Sequence, residues 1–311
     1  MTTLPAHLGV SAPAGPGATR SRRLRAFAAR FTRDPRHYQM TVQAILLCCG
    51  LVLLDFEISA ARAALTLAAV VGVQWLCTRL GADLSRLRAH RGRQRASRTT
   101  NPAAPPDSVP RFEWRSALIS GLSLCLLLRA SSAGLVLAAA AVTIASKFVL
   151  RWRGRHLFNP TCFGLVAMML LSRHVWVSPG QWGHATILAF AIACLGSIVV
   201  TRAARADVTF AFLAAWAAVL FGRAAWLGQP WMTPTHMVTN GSILLYAFFM
   251  ISDPRTTPGS RAGRIAFAVL VALGAGFVQF VLYRTNGPLW SLVACAPLVP
   301  LLDHWLPGAR H

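Results

Sequence analysis

Three stretches of this 311-residue chain hold the side chains able to do chemistry. The first is Asp34-Pro-Arg-His-Tyr-Gln39. The second is Gly154-Arg-His-Leu-Phe-Asn-Pro-Thr-Cys-Phe-Gly164. The third runs from Thr239-Asn-Gly-Ser242 through Ala247-Phe-Phe-Met-Ile-Ser-Asp-Pro254 to Pro258. Together they supply a histidine (His156), an Asn159-Pro160 break, a run of small polar residues (Thr239, Asn240, Gly241, Ser242) and a carboxylate before a proline (Asp253).

Each admits a functional and a plain reading. Pro160 suits the first turn of a helix, where its missing N–H does no harm. Asn159 is then placed to cap that helix. Such a terminus offers free N–H groups and partial positive charge to an anion. His156 would bind a ligand or handle protons, or simply sit at the membrane interface. Asp253 follows an apolar run and precedes a proline stop. It is either a functional acid or a cap-and-turn with Arg255 beside it. An acid at a helix end costs far less than one at mid-membrane. Asp55, Glu57, Asp207 and Asp303 also fall near the ends of apolar runs, as ion-path candidates or solvated ends.

Other chemistries find no constellation. There is no phosphate-cradling glycine loop, no HExxH and no GxSxG. No NADH site is visible, so a reductant would have to come from a partner. The seven cysteines, Cys48, Cys49, Cys77, Cys125, Cys162, Cys194 and Cys295, form no CxxC pair. They read as small apolar residues, and no metal set is expected.

The elements that must position these groups are membrane helices. Hydrophobic residues make up 55% of the chain and charged residues 13%, against about 25% in soluble domains. The mean hydropathy is +0.51 and the isoelectric point near 11.7. The net charge of +22 comes from 31 basic and 9 acidic side chains. These basic residues sit between apolar runs, so they set topology and are not a nucleic-acid surface. A span needs about 20 apolar residues. Candidate spans run 39–56, 58–78, 116–130, 132–150, 160–172, 184–201, 207–226, 238–252, 265–283 and 288–305.

Arginines concentrate in loop 79–115, after the fourth, sixth and eighth runs, and in the N-terminal tail 1–38. This is the positive-inside pattern of a chain with both ends in the cytoplasm and a cell-membrane location. Lys147, the only lysine, is counted among these topology charges. The tail 1–38 is expected to be disordered, loop 79–115 flexible, 39–305 the membrane domain and 306–311 a short tail. Ten spans divide into two inverted sets of five. The third, fifth, eighth and tenth runs are short or open on Asn-Pro or Gly-Pro. Paired interrupted segments point to a central site lined by broken helices. The expected fold class is all-α integral membrane, with about ten helices in two inverted five-helix repeats.

At the three motifs the chain resembles the NqrB/RnfD family, membrane subunits of Na⁺-translocating NADH:quinone oxidoreductase and of the Rnf electron-transport complex. His156-Leu-Phe-Asn-Pro160 and Ala247–Pro254 carry the match, with the Asp34–Gln39 entry. The likeness is nearest to stand-alone RnfD-like proteins of enediyne biosynthesis clusters, the UnbU type. The resemblance implies a ten-helix inverted repeat, FMN or riboflavin binding, and electron transfer coupled to ion movement. It also implies other electron-transfer membrane subunits as partners besides the lipid bilayer. Cofactor-binding candidates are Thr239, Asn240, Gly241, Ser242, His156, Asn159 and Asp253; catalytic residues stay unassigned.

The family carries FMN on a threonine at the outer end of the eighth span. Ungapped alignment puts Ile243 at that position. An alkyl side chain cannot form a phosphoester, which leaves a non-covalent flavin or none. The alternative is a non-redox transporter for export or self-protection on the same fold. A scaffold docking partner subunits through the basic tail and loop is a third reading.

Overall fold

The structure, a computed structural model, describes residues 34–53, 58–96, 112–177 and 186–308. Asp55, Glu57 and the tail 1–33 lie outside these residues. Every one of the ten apolar runs contains a helix. They are α1 (Pro35–Leu53), α2 (Ala60–Ala96), α3 (Trp114–Leu127), α4 (Ala133–Val149), α5 (Pro160–Leu171), α6 (Thr186–Arg202) and α7 (Ala206–Leu227). The short α8 (Met232–Val238) follows, then α9 (Gly241–Phe249), α10 (Arg261–Phe280), α11 (Gly287–Cys295) and α12 (Val299–Trp305).

Local sequence explains the boundaries. Ser132, Asn159, Asn240 and Ser260 each accept a backbone N–H of the first turn, capping α4, α5, α9 and α10. These are the residue types whose short side-chain oxygens satisfy orphan donors best. Gly228 ends α7 at φ +64, a left-handed cap that costs glycine little. Pro297 and Pro300 lie where the tenth segment tightens into a 3₁₀ turn at Ala296–Leu298, so α11 and α12 form one broken helix.

Two sequence expectations change. Loop 79–115 is not flexible throughout, because α2 continues to Ala96. Arginine, leucine, alanine and glutamine favour helix as strongly as apolar residues do, so the fall in hydropathy after residue 78 does not end the helix. The described residues also include two small antiparallel ribbons among the helices. β1 (Leu128–Ala130) pairs with β4 (Val175–Val177), and β2 (Arg151–Trp152) pairs with β3 (Arg155–His156).

Among the described residues three helical stretches are long and apolar enough to cross a membrane: Ala60–Leu87, Ala206–Leu227 and Arg261–Phe280. Several others are shorter and apolar. Large side chains such as Phe190, Leu273 and Phe277 are exposed on the outside of the bundle. In water such a surface would be costly; against lipid tails it is not.

The packing follows a recurring pattern. α1 packs on α3 as α6 packs on α9; α2 packs on α4 as α7 packs on α10; α4 packs on α5 as α10 packs on α11. Two further contacts, α1 with α6 and α5 with α11, join the two groups. At the last of these, Cys162 Sγ approaches the Leu289 carbonyl at 3.3 Å.

Candidate functional site

The motif residues gather in two places, at opposite ends of α9. At its C-terminal end a polar cavity of about 450 Å³ is lined by residues from all three motifs, among them Asp34, Arg36, Gln39, His156, Asn159, Pro160 and Asp253. Asn159 acts through both ends of its amide. Its Oδ1 accepts from Cys162 N at 3.0 Å, the expected cap. Its Nδ2 donates to the Met250 carbonyl at 3.2 Å and to Asp253 Oδ2 at 3.5 Å. The second motif thereby anchors the third, and one helix N–H expected to serve an anion is already taken. Asp253 Oδ1 accepts from Arg255 N at 2.9 Å, so the cap-and-turn reading of Asp253 describes one of its oxygens.

Sequence reasoning missed two residues here. Glu113 accepts two bonds from Arg255 Nη2, at 3.0 and 3.1 Å, and faces Arg36 at 3.6 Å. Lys147 is not a loop charge following the fourth run. It lies inside α4, 4% exposed, and its Nζ donates to the Ser116 carbonyl at 2.8 Å and to Ser116 Oγ at 3.1 Å. The available signal was that the only lysine falls within an apolar helix. Ionisable groups so placed are functional candidates.

His156 forms the wall of this cavity and of a smaller neighbour. Its Nε2 lies 3.1 Å from Arg255 Nη1. A guanidinium can only donate, so Nε2 accepts and Nδ1 carries the proton. That Nδ1 is buried with no hydrogen-bond partner among the described residues. Burial pushes the imidazole down to about 4; Asp253 opposes this, and Arg255, Lys147 and Arg151 add to it. Glu113 is held below the ordinary carboxylate range, because the Arg255 bond and the Arg36 charge outweigh its burial.

The signs give a test. Between pH 6.5 and 4 the unfolded chain protonates this histidine and the folded chain does not, so stability falls as pH falls through that window. Glu113 begins to lose its contribution only below about pH 4.5. Thermal midpoints in detergent are expected to drop by several degrees from about pH 7 to about pH 5. His156→Gln is expected to flatten that drop while leaving the acid loss below pH 4.5.

At the other end of α9 a mainly apolar cavity of about 420 Å³ is lined by Asn240, Ser242, Ile243, Tyr246, Trp216, Gln279 and Asn286, among others. Asn240 caps α9 by accepting from Ser242 N at 2.8 Å. Thr239 does not line the cavity, and its hydroxyl donates to the Thr235 carbonyl at 2.9 Å. Gly241 is buried at the helix start. Ile243 stands in the wall, 7% exposed.

Two donors in this cavity are conspicuous for lacking a partner. Tyr246 Oη and Trp216 Nε1 are both buried, in residues 3% and 2% exposed, with no hydrogen-bond partner among the described residues. An orphaned buried donor costs about 1–3 kcal/mol. Phe212 packs on both rings, at centroid distances of 6.5 Å to Trp216 and 5.0 Å to Tyr246. Trp216 and Gln279 come from α7 and α10, and no motif marked them.

Asp207 and Asp303 are both paired. Asp207 binds Arg264 at 2.6 Å, and Asp303 binds Arg155 at 3.3 Å. Among the described residues no group of three His, Cys, Asp or Glu side chains could hold a metal ion.

Apolar outer faces, buried polar pairs and cavities at both ends of one short helix define a polytopic helical membrane protein. Over residues 169–310 the chain is similar to the NQR2, RnfD, RnfE family, whose profile it matches there. That range contains the third motif but neither Asp34 nor Asn159. Similar proteins include the D components of ion-translocating oxidoreductase complexes from three bacteria. The chain is 27% identical over 35% of its length to that of Erwinia tasmaniensis. It is 42% identical over 21% of its length to that of Stutzerimonas stutzeri, and 39% over 21% to that of Halorhodospira halophila. The matched stretches span 31%, 19% and 18% of those relatives' own lengths.

Proposed function

We propose that this chain is an RnfD/NqrB-like membrane subunit for flavin-linked electron transfer, coupled to ion movement, working beside other electron-transfer subunits. Its flavin, FMN or riboflavin, is held without a covalent bond in the Asn240-end cavity. The observation that carries this reading is the pair of orphaned buried donors, Tyr246 Oη and Trp216 N–H, on two side chains that line a mainly apolar cavity with a polar rim of Asn240, Ser242, Gln279 and Arg284. A flat heteroaromatic ring with carbonyl and imine acceptors suits them. The volume of about 420 Å³ falls within the range of ordinary cofactor pockets.

Each residue then has a task. Tyr246 and Trp216 orient the ring edge, and Ile243 and Leu289 supply apolar walls that exclude water. Asn240 and Ser242 meet the polar side of the ligand at the start of α9. Ile243 rules out a phosphoester at its own position. A bound flavin would supply electron transfer between a partner donor and a partner acceptor. The names of the relatives, D components of ion-translocating oxidoreductase complexes, support a membrane subunit of such a complex. The recurring helix pairs support two inverted five-helix units, α1 to α5 and α6 to α12, with α8 as an insertion and α11–α12 as one broken helix. The arginine placement supports cytoplasmic termini in the cell membrane.

Absorbance and gel fluorescence of the purified chain test the proposal. The expected result is flavin absorbance that disappears from the protein band on denaturation. Trp216→Phe and Tyr246→Phe should each weaken flavin retention about tenfold, the value of one hydrogen bond to a buried donor. Absence of flavin, after flavin is added back, would overturn it.

One observation favours a second reading, a transporter that has lost redox chemistry. A gap of about 10 Å³ lined by Gln43, Ser123 and Leu127 lies between the two cavities, sharing Ser123 with one and Leu127 with the other. Uptake into vesicles that ignores added reductant would favour it.

A further inference from the structure

We propose that the groove between the β2–β3 hairpin and α12 binds the phosphate of an anionic membrane lipid, with Arg153 as its principal cation. The groove, about 220 Å³, is lined by Trp152, Arg153, Arg155, His156, Asp303 and His304, among others. It lies apart from the flavin cavity and does not depend on the flavin reading.

Charge bookkeeping singles out one side chain. Asp303 is taken by Arg155 at 3.3 Å, and Arg155 also donates to the Thr257 carbonyl at 2.7 Å. Arg255 is committed to Glu113 and His156. Arg153 has no ion pair or hydrogen bond among the described residues, so its charge faces the groove uncompensated.

The backbone gives an independent reason to look here. Arg153 and Gly154 form the two-residue hairpin turn with φ of +46 and +80. Turns with both central residues at positive φ favour Asn-Gly and Gly-Gly. A long cation stands where a small residue would close the turn with less strain. Strained non-glycine positions cluster at binding sites.

The surroundings select a lipid over a soluble phosphate. The hairpin follows directly on the last apolar turn of α4, where Val149 is 76% exposed. Trp152 in the groove and Trp305 beside His304 are 53% and 66% exposed. Exposed tryptophans next to arginines at the end of apolar helices mark the headgroup level of a bilayer. Juxtamembrane cations attract anionic headgroups there.

The test is native mass spectrometry of the full chain, purified in detergent and re-exposed to equal amounts of phosphatidylglycerol and phosphatidylcholine. Wild type is expected to retain phosphatidylglycerol preferentially, one molecule per chain. Arg153→Gly and Arg153→Asn both suit the turn while removing the charge. Each should lower phosphatidylglycerol retention roughly fivefold and leave phosphatidylcholine unchanged. Unaltered thermal midpoints would verify that the variants fold. Equal retention of both lipids by wild type, or no loss in the two variants, would overturn the proposal. Displacement of the lipid by millimolar inorganic phosphate or glycerol phosphate would assign the groove to soluble phosphates and overturn the lipid assignment.

Discussion

Arg264→Ala will lower the unfolding free energy by about 3–5 kcal/mol, the usual cost of stranding one partner of a buried ion pair. Asp207 stands in the first turn of α7 and Arg264 in the first turn of α10. The guanidinium grips the carboxylate with Nε and Nη2, at 2.6–3.0 Å. The side chains are only 13% and 15% exposed, so water replaces the lost cation only in part. Arg264 Nη1 also ties the Gly259 carbonyl to the helix start at 2.8 Å. Arg264→Lys keeps the charge but not the planar fork, and should fall between wild type and alanine. The double variant Asp207→Asn, Arg264→Gln should lose less than Arg264→Ala, because no bare charge remains. Denaturant unfolding in detergent reads all three. A loss under about 1 kcal/mol for Arg264→Ala would mean the carboxylate stays solvated, as a surface pair would.

Gly287→Ala is the second large effect, and it joins packing to function. A methyl at this position would lie 2.5 Å from the Ala275 carbonyl oxygen and 3.3 Å from Gln279 Cβ. The nearer atom is backbone within α10, which cannot swing aside. α11 must therefore move away from α10. Overpacking of this kind costs about 1–3 kcal/mol. Gln279, Asn286, Pro288 and Leu289 all line the Asn240-end cavity, at the junction of the two helices that would separate. Flavin retention should fall by at least about tenfold, beyond what global stability explains. Gly222→Ala is the control. Nothing lies within 4 Å of its added methyl, and alanine in mid-helix should stabilise by up to about 1 kcal/mol. Equal behaviour of the two variants would show that the α10–α11 contact does not shape the site.

Much of the architecture could be read in the chain. Each apolar run marked by hydropathy contains a helix, and among the described residues three helical stretches are long and apolar enough to cross a membrane, where lipid demands an apolar surface. Asn159-Pro160 announced the start of α5, and the capping bond is present. The alternation of arginine-rich ends grouped Asp34, Arg155, Asp253 and Asp303 on one side, where the cavities and ion pairs bring them together. The misreadings have one cause. Hydropathy reports the solvent around a segment and not its backbone, so α2 ran on to Ala96 through a polar stretch.

The helical membrane class and the segments that carry chemistry follow from residue types and their order, and the unsuitability of Ile243 as a flavin acceptor follows from the family resemblance those segments carry. Which residues meet is a matter of packing. Arg255 finds Glu113 across 142 positions of chain, and Arg155 finds Asp303 across 148. Lys147 turned from a topology charge into a buried donor, and Trp216 from one apolar residue among many into half of an orphaned pair. No local pattern encodes such partners. A pairing across the bundle is fixed by how helices pack, and a missing hydrogen bond is visible only once every neighbour is in place.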